Sequence, residues 1–377
     1  MMTVLDALLK LMVEKNGSDL YLSVGFPPSM KIDGKMVPVH SESINSSMSV
    51  SLAKEILGDQ ESLQNFLQEK EVNMAISRIG LGRFRVNGFF QRNEIAFVIR
   101  SIKTQIPTLD QLQLPEVLKS LAMSARGLIL FVGSTGSGKS TSLAAMIQHR
   151  NQTSAGHILT IEDPIEYLHH NQKSLVNQRE VGLDTKSYKE ALENALREAP
   201  DVILIGEIRS MDTMEHAIAY AETGHLCLST LHANNANQAI DRIINFFPPE
   251  RRQQTLMDLS LNIRAIISQR LLPKRGGGRI AAVEILINTP TISDLIYRGE
   301  IQSLKETMKK PNEVSMRTFD QDLVRLYMEG LVAYDDAIRA ADSQNDLRLA
   351  IRTECQKRGL PDPGSSASST KEGWSIK

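Results

Sequence analysis

The chain has 377 residues, 41% hydrophobic and 23% charged, and its 43 Lys and Arg against 44 Asp and Glu give a formal net charge of -1. That length admits two domains with separate cores, and the balanced charge supplies no overall field to draw the protein to nucleic acid or a membrane surface. Two isolated cysteines, Cys227 and Cys355, suggest neither a four-thiolate zinc site nor a disulfide framework. No apolar run approaches the roughly 18 residues of a membrane span. The early acid Asp6 and the lack of a basic leader argue against a signal peptide, while the sparse cysteines make a reducing cytoplasm the expected compartment.

Residues 1–102 read as a small N-terminal α+β domain. Leu5, Leu8, Leu9 and Met12 share one face of a helix over 4–15. Asn16-Gly17 stops it, a strand follows over 19–24, and Pro27-Pro28 breaks that strand. Asp33-Gly34 between strands at 30–32 and 35–39 signals a hairpin. Residues 46–70 read as two helices interrupted at Gly58-Asp59, and strands are predicted over 72–77, 82–91 and 94–102. Residues 103–115, punctuated by Pro107 and Pro115, are short and apolar enough for an interdomain hinge.

From residue 116 to 290 strands and helices alternate. Strands are predicted over 128–132, 157–162, 202–205, 226–230 and 280–287, the pattern of an α/β core with a largely parallel sheet. Residues 291–345 turn helical, with helices over 292–298, 304–310, 319–329 and 334–341. Residues 346–377 form a helical end and a tail, which is expected to be disordered through its Gly/Ser-rich stretch at 364–369 and to carry Trp374 without a role.

Inside the core, Gly133, Ser134, Thr135, Gly136, Ser137, Gly138, Lys139 and Ser140 fit G-x-x-x-x-G-K-[ST], and Thr141 follows. The glycines let the backbone wrap a phosphate with N–H groups inward. Lys139 can reach the β- and γ-phosphates, and the Ser140 hydroxyl can ligate Mg²⁺. An apolar strand precedes the loop and a helix follows it, so the helix N-terminus would face the phosphates. ATP and Mg²⁺ are the implied cofactors.

Residues 202–205 form an apolar strand followed by Gly206 and Glu207. This has the shape of a Walker B strand with its acid displaced by one position, so Glu207 would hold Mg²⁺ through a water; a plain buried strand ending in a surface Glu is the alternative. Glu162, Asp163 and Glu166 lie at the end of another predicted strand, where ligands of parallel sheets bind. One of these carboxylates is expected to polarise water.

The runs 158–167, 175–182, 202–209 and 221–232 together resemble the Asp box, Walker B and His box of the type II secretion/type IV pilus ATPases, and the likeness extends in order over about residues 1–345. The retraction branch fits better than the assembly branch, whose members usually carry extra N-terminal regions and a four-cysteine insert. Retraction motors of the PilT-like kind carry an Ala-Ile-Arg-Asn-Leu-Ile stretch. Here the matching positions, Thr291 to Gly299, hold Ser293-Asp294 in place of Arg-Asn, which points to the auxiliary retraction ATPases that work with a PilT-like partner.

The resemblance implies an N-terminal PAS-like domain joined to a RecA-like domain, six chains in a ring with ATP between the two domains, and a cytoplasmic protein recruited to an inner-membrane PilC-like platform. Residue by residue it implies Lys139 on phosphate, Ser140 on Mg²⁺, Glu166 as catalytic glutamate and Glu207 as Walker B acid. His225 and His232 would sense or position the nucleotide, and Arg83 or Arg100 would neutralise transition-state charge. From spacing alone, Arg83 and Arg85 alternating with Phe84 and Val86 describe a half-solvated strand, and His225, Cys227 and His232 allow a metal reading that lacks further ligands. Three functions follow: an ATP-driven motor, an ATP-binding structural partner with little turnover, and a nucleic-acid motor, for which no basic or aromatic stripe speaks.

Overall fold

The computed structural model describes residues 3–32, 34–310 and 315–361. Asp33 of the hairpin turn and the predicted disordered tail with Trp374 lie outside the described residues. By contact the chain divides into two compact units: residues up to Gln105 together with Ile165–Leu168, and the rest of the described chain.

The first unit is α+β. Its elements are α1 (Val4–Glu14), β1 (Asp19–Ser23), β2 (Ser29–Ile32), β3 (Lys35–Pro38), α2 (Ser46–Leu57), α3 (Gln60–Glu69), β4 (Glu71–Arg78), β5 (Gly82–Gln91) and β6 (Glu94–Ser101). The strands form one antiparallel sheet in the order β3-β2-β1-β6-β5-β4. Side chains of Asn45 and Asp59 accept from the first-turn N–H groups of α2 and α3, which is why the helices begin where they do. Leu5, Leu9, Met12, Leu52, Ile56 and Phe66 bury against Leu20, Phe84, Val86, Phe97 and Ile99 of the sheet. Because strand side chains alternate, the buried pair Phe84 and Val86 sends Arg83 and Arg85 to the opposite face of β5.

The second unit contains α4 (Val117–Ala122), β7 (Gly127–Val132), α5 (Lys139–Thr153), β8 (Gly156–Glu162), β9 (Ser174–Glu180), α6 (Tyr188–Ala195), β10 (Val202–Ile205), α7 (Met211–Glu222) and β11 (Leu226–Leu231). It continues with α8 (Ala236–Ile244), α9 (Arg252–Asn262), β12 (Ile263–Pro273), β13 (Arg279–Ile287) and the helices α10 (Pro290–Tyr297), α11 (Leu304–Met308), α12 (Phe319–Met328), α13 (Tyr334–Ala340) and α14 (Gln344–Lys357). The sheet order is β13-β12-β7-β11-β10-β8-β9, parallel except for the β12–β13 pair. Every residue of β7 is buried, Leu128, Leu130 and Val132 in the core on one face, Ile129 and Phe131 in the core on the other. A strand covered on both faces reads as a continuous apolar run, and this one does.

The expected α/β core, smaller N-terminal α+β domain and helical extension are thus present. Two strands of the parallel sheet, β9 and β12, were not predicted. β12 follows α9 with no turn residue between them, and Arg264, Ser268, Gln269 and Arg270 interrupt its apolar pattern, so neither a helical nor a strand period stands out. Leu109 and Leu114, read as hinge residues, are buried in the core of the second unit.

The helical extension is anchored by charge as well as packing. A capping box at Thr318 and Gln321 starts α12. The fully buried Asp322 carboxylate on α12 accepts from Val283 N of β13 (2.9 Å), Arg317 (2.7 Å) and Arg325 (2.8 Å).

Candidate functional site

Parallel strands deliver their following loops to one edge of the sheet, and four of the second unit's loops meet there. The loop after β7 is residues 133–138, and α5 begins at Lys139. Gly136 and Gly138 have φ of +78° and +90°, the left-handed region that only glycine enters without strain. Gly138 has a second constraint: a Cβ there would lie 2.6 Å from Gln269 Nε2. Lys139 is buried, and its Nζ donates to the carbonyls of Gly133 (2.8 Å) and Ser134 (2.9 Å). Reaching a phosphate would exchange those two neutral acceptors for charged oxygens, which form stronger hydrogen bonds.

The neighbouring strand β11 ends at Leu231, so His232 emerges at this same edge. The next strand, β10, continues through Gly206 N donating to Ile161 O (2.8 Å) and Ile208 N donating to Thr230 O (2.9 Å), which carries Glu207 to the strand end. The displaced acid has a steric reason. A Cβ at residue 206 would meet the Tyr188 hydroxyl at 2.9 Å and Glu162 Cα at 3.2 Å, so glycine avoids crowding where β8 and Tyr188 close on the strand. Glu207 Oε1 lies 3.0 Å from His232 Nε2, and its Oε2 accepts from Arg209 Nε at 2.7 Å. Arg209 is in turn held above its usual pKa, first by the hydrogen bond to Glu207. From β8, Glu162 Oε1 accepts from Thr160 Oγ1 (2.6 Å) and Gln178 Nε2 (3.1 Å). Burial and then the Asp163 carboxylate push the Tyr188 phenol well above its ordinary value, so it stays a neutral hydroxyl. Beside the loop, Gly133, Ser134, His232, Asn234, Gln238 and Arg242 line a groove of about 500 Å³, a size that suits small-molecule ligands.

Of the two histidines expected to sense or position the nucleotide, only His232 lies at the edge of the phosphate loop. His225 precedes β11, whose first residue pairs with Gly127, the start of β7; His232 follows β11, whose last residue pairs with Val132. Seven residues of extended chain span about 23 Å, so the two imidazoles sit at opposite edges of the sheet. His225 Nδ1 lies 3.0 Å from Thr223 Oγ1 at the end of α7, away from the phosphate loop. The same separation removes the metal reading. Cys227 between them is fully buried, burial raises its thiol pKa, and among the described residues no cluster of His, Cys, Asp and Glu could cage a metal.

Glu166, Arg83, Arg85 and Arg100 belong to the first unit. The segment carrying Glu166 is held there by a bridge between Lys103 and Tyr167 and by Leu168 N donating to Lys103 O (3.0 Å); Glu166 itself is exposed. Arg100 Nε donates to the buried Asp19 carboxylate at 2.7 Å, and Arg85 lies opposite Arg100 in the ladder. Arg83 Nε is buried and has no hydrogen-bond partner among the described residues.

Gln269, Arg209 and Tyr188 were not singled out from the sequence for this site. Gln269 on the unpredicted β12 had no local signal; Arg209 stood inside a recognised run without an assigned role.

A parallel sheet that ends one strand in this glycine-lysine loop and its second neighbour in a carboxylate defines a P-loop nucleotide-binding domain. Comparison narrows the class. The family described as type II/IV secretion system protein matches residues 2–276. The type IV pilus ATPase PilU of Pseudomonas aeruginosa is 54% identical over 372 residues, 98% of this chain and 96% of that protein. The type IV pilus retraction ATPase PilT of the same organism is 40% identical over 88% of this chain and 96% of its own length. The crystal structure of the pilus retraction motor PilT with bound ADP superposes with a TM-score of 0.84 at 40% identity, covering 92% of this chain and 99% of that one. The chain belongs to the type II/IV secretion system protein family.

Proposed function

We propose that this protein is an ATP-hydrolysing subunit of a hexameric type IV pilus motor, an auxiliary retraction ATPase of the PilU kind acting with a PilT-like partner. The observation that carries the reading is likeness to PilU over nearly the whole length of both chains, joined to a complete phosphate loop with Glu207 and His232 at the same sheet edge. The PilC-like platform and peripheral recruitment to the inner membrane belong to the same proposal. Among the described residues no helix is long and apolar enough to cross a membrane, and recruitment by another protein is part of the same proposal.

In this reading residues 133–141 bind the triphosphate, with Lys139 on its outer phosphates. Glu166 orients the attacking water and takes its proton, and Arg83 or Arg100 offsets charge on the transferring phosphoryl group. The Asp19 ion pair restrains Arg100, whereas Arg83 Nε has no partner among the described residues, which favours Arg83. His232, beside Glu207, would position the γ-phosphate.

The residues at the sheet edge suit Mg²⁺. Ser140 and Glu207 offer hard oxygen donors, and both Glu207 oxygens already have protein partners. Such a site fits an ion that keeps waters and phosphate oxygens rather than one caged by protein. When bound, the ion would neutralise charge on the phosphates.

The test is ATP turnover by the purified chain, alone and with a PilT-like protein. Lys139→Ala should lose turnover by about a hundredfold or more, and Glu166→Gln should reduce it by about a hundredfold. Wild-type turnover by Glu166→Gln would remove its catalytic role. A second reading, an ATP-binding structural partner, draws on α10, where Ser293 Oγ is tied to Ser260 O (2.8 Å) and Asp294 to Arg298 (2.9 Å). Rings that bind ATP and hydrolyse none, alone or mixed, would favour it.

A further inference from the structure

We infer that Gln269, on β12, is a positioning residue for the phosphate loop, setting the peptide plane that aims the Gly138 N–H. This rests on the nucleotide-binding part of the function proposed above. Gln269 is 2% exposed and its amide is spent on two elements. Its Nε2 donates to Ser137 O at 2.8 Å, and its Oε1 accepts from Ser142 Oγ in the first turn of α5, also at 2.8 Å. In a planar trans peptide the C=O and the following N–H point in opposite directions. Holding the Ser137 carbonyl toward β12 therefore turns the Gly138 N–H away from β12. That N–H starts the run of backbone donors at the α5 N-terminus, the groups with which such a loop meets phosphate. Donation to the carbonyl also polarises the same peptide and strengthens its N–H as a donor.

Two glycines record how closely β12 must approach. A Cβ at 138 would lie 2.6 Å from Gln269 Nε2, and a Cβ at 133 would lie 2.6 Å from Gln269 O. Both ends of the loop are thus shaped to Gln269. The amide is suited to the task because it presents a donor and an acceptor side by side. Ser137 O needs the donor and Ser142 Oγ–H needs the acceptor. A carboxylate in its place would set an anionic oxygen against the Ser137 carbonyl, while a protonated carboxyl group would restore the donor.

The experiment measures ADP affinity of the full chain from pH 7.5 to 5.5, with thermal unfolding without nucleotide as the folding control. Gln269→Glu should weaken ADP by about tenfold or more at pH 7.5 and regain affinity relative to wild type as pH falls and the carboxyl group protonates. Ser142→Ala, a smaller change on the helix side, should weaken ADP by about threefold at every pH. A residue that merely filled space would give no pH-dependent recovery. Wild-type affinity in both variants, or a Gln269→Glu loss that is the same at every pH, overturns the inference. Should Gln269→Glu not fold, unchanged affinity in Ser142→Ala overturns it and the threefold loss supports it. Failure of the unsubstituted chain to bind ADP would instead refute the proposed function.

Discussion

His225 and His232 differ by seven positions and occupy opposite ends of one strand. The consequence is measurable. His232→Ala, next to Glu207, should lower ATP turnover by about tenfold or more. His225→Ala removes only the contact at the end of α7, costing about 1 kcal/mol of stability and leaving turnover within about twofold. The sequence could not separate them because both flank the same apolar run; strand direction decides which flank meets the loop. By contrast the phosphate loop was legible, since its chemistry is written in consecutive residues. Gln269 was not, because it reaches Ser137 across 132 positions of chain. A third histidine bears on pH. His169, half-buried and with Nδ1 3.2 Å from Gln148 Oε1, is held down to about 4 by loss of solvent and then by the His170 charge. The unfolded chain therefore binds a proton near 6.5 that the folded protein refuses. The stabilisation from neutral His169 is complete above about pH 6.5 and is lost as pH falls toward 4, about 3 kcal/mol in all. His169→Gln should flatten that part of the stability curve, read by denaturant unfolding across pH 7 to 4.

Among the elements, β12 shows why sheet membership is harder to read than helix or strand type. Its neighbour β7 announces itself as an unbroken apolar run. β12 carries polar residues because the phosphate loop and the helical extension use them: Gln269 faces the loop, while Arg270 donates to Ala340 O (2.6 Å) and Asp342 (2.5 Å). Alternation along the strand sends the two side chains to opposite faces. The helical extension depends on a buried charge as well. Asp322→Ala would leave Arg317, Arg325 and the Val283 N–H without their shared acceptor. The expected loss is about 3 kcal/mol, measured by denaturant unfolding. The helices of the extension were legible as segments, but Asp322, one polar residue inside α12, gave no sign that it was the anchor.

At the scale of the molecule, the proposed ring predicts that light scattering with ATP and Mg²⁺ returns about six times the chain mass, the copy number inferred from family likeness. Only monomer under those conditions would contradict it. The division into an α+β unit and a P-loop unit was legible in the change from clustered strands to alternating strands and helices. The return of Ile165–Leu168 to the first unit was not, because four residues are too few to show a pattern of their own. That return bears on how paralogues can be recombined. A chimera joined once, after Gln105, would inherit Arg83 and Arg100 from one parent and Glu166 from the other, although the three share a unit. Exchanging the unit whole takes three junctions, so parental parts that work well apart can fail together in a single-crossover hybrid through nothing more than a four-residue mismatch.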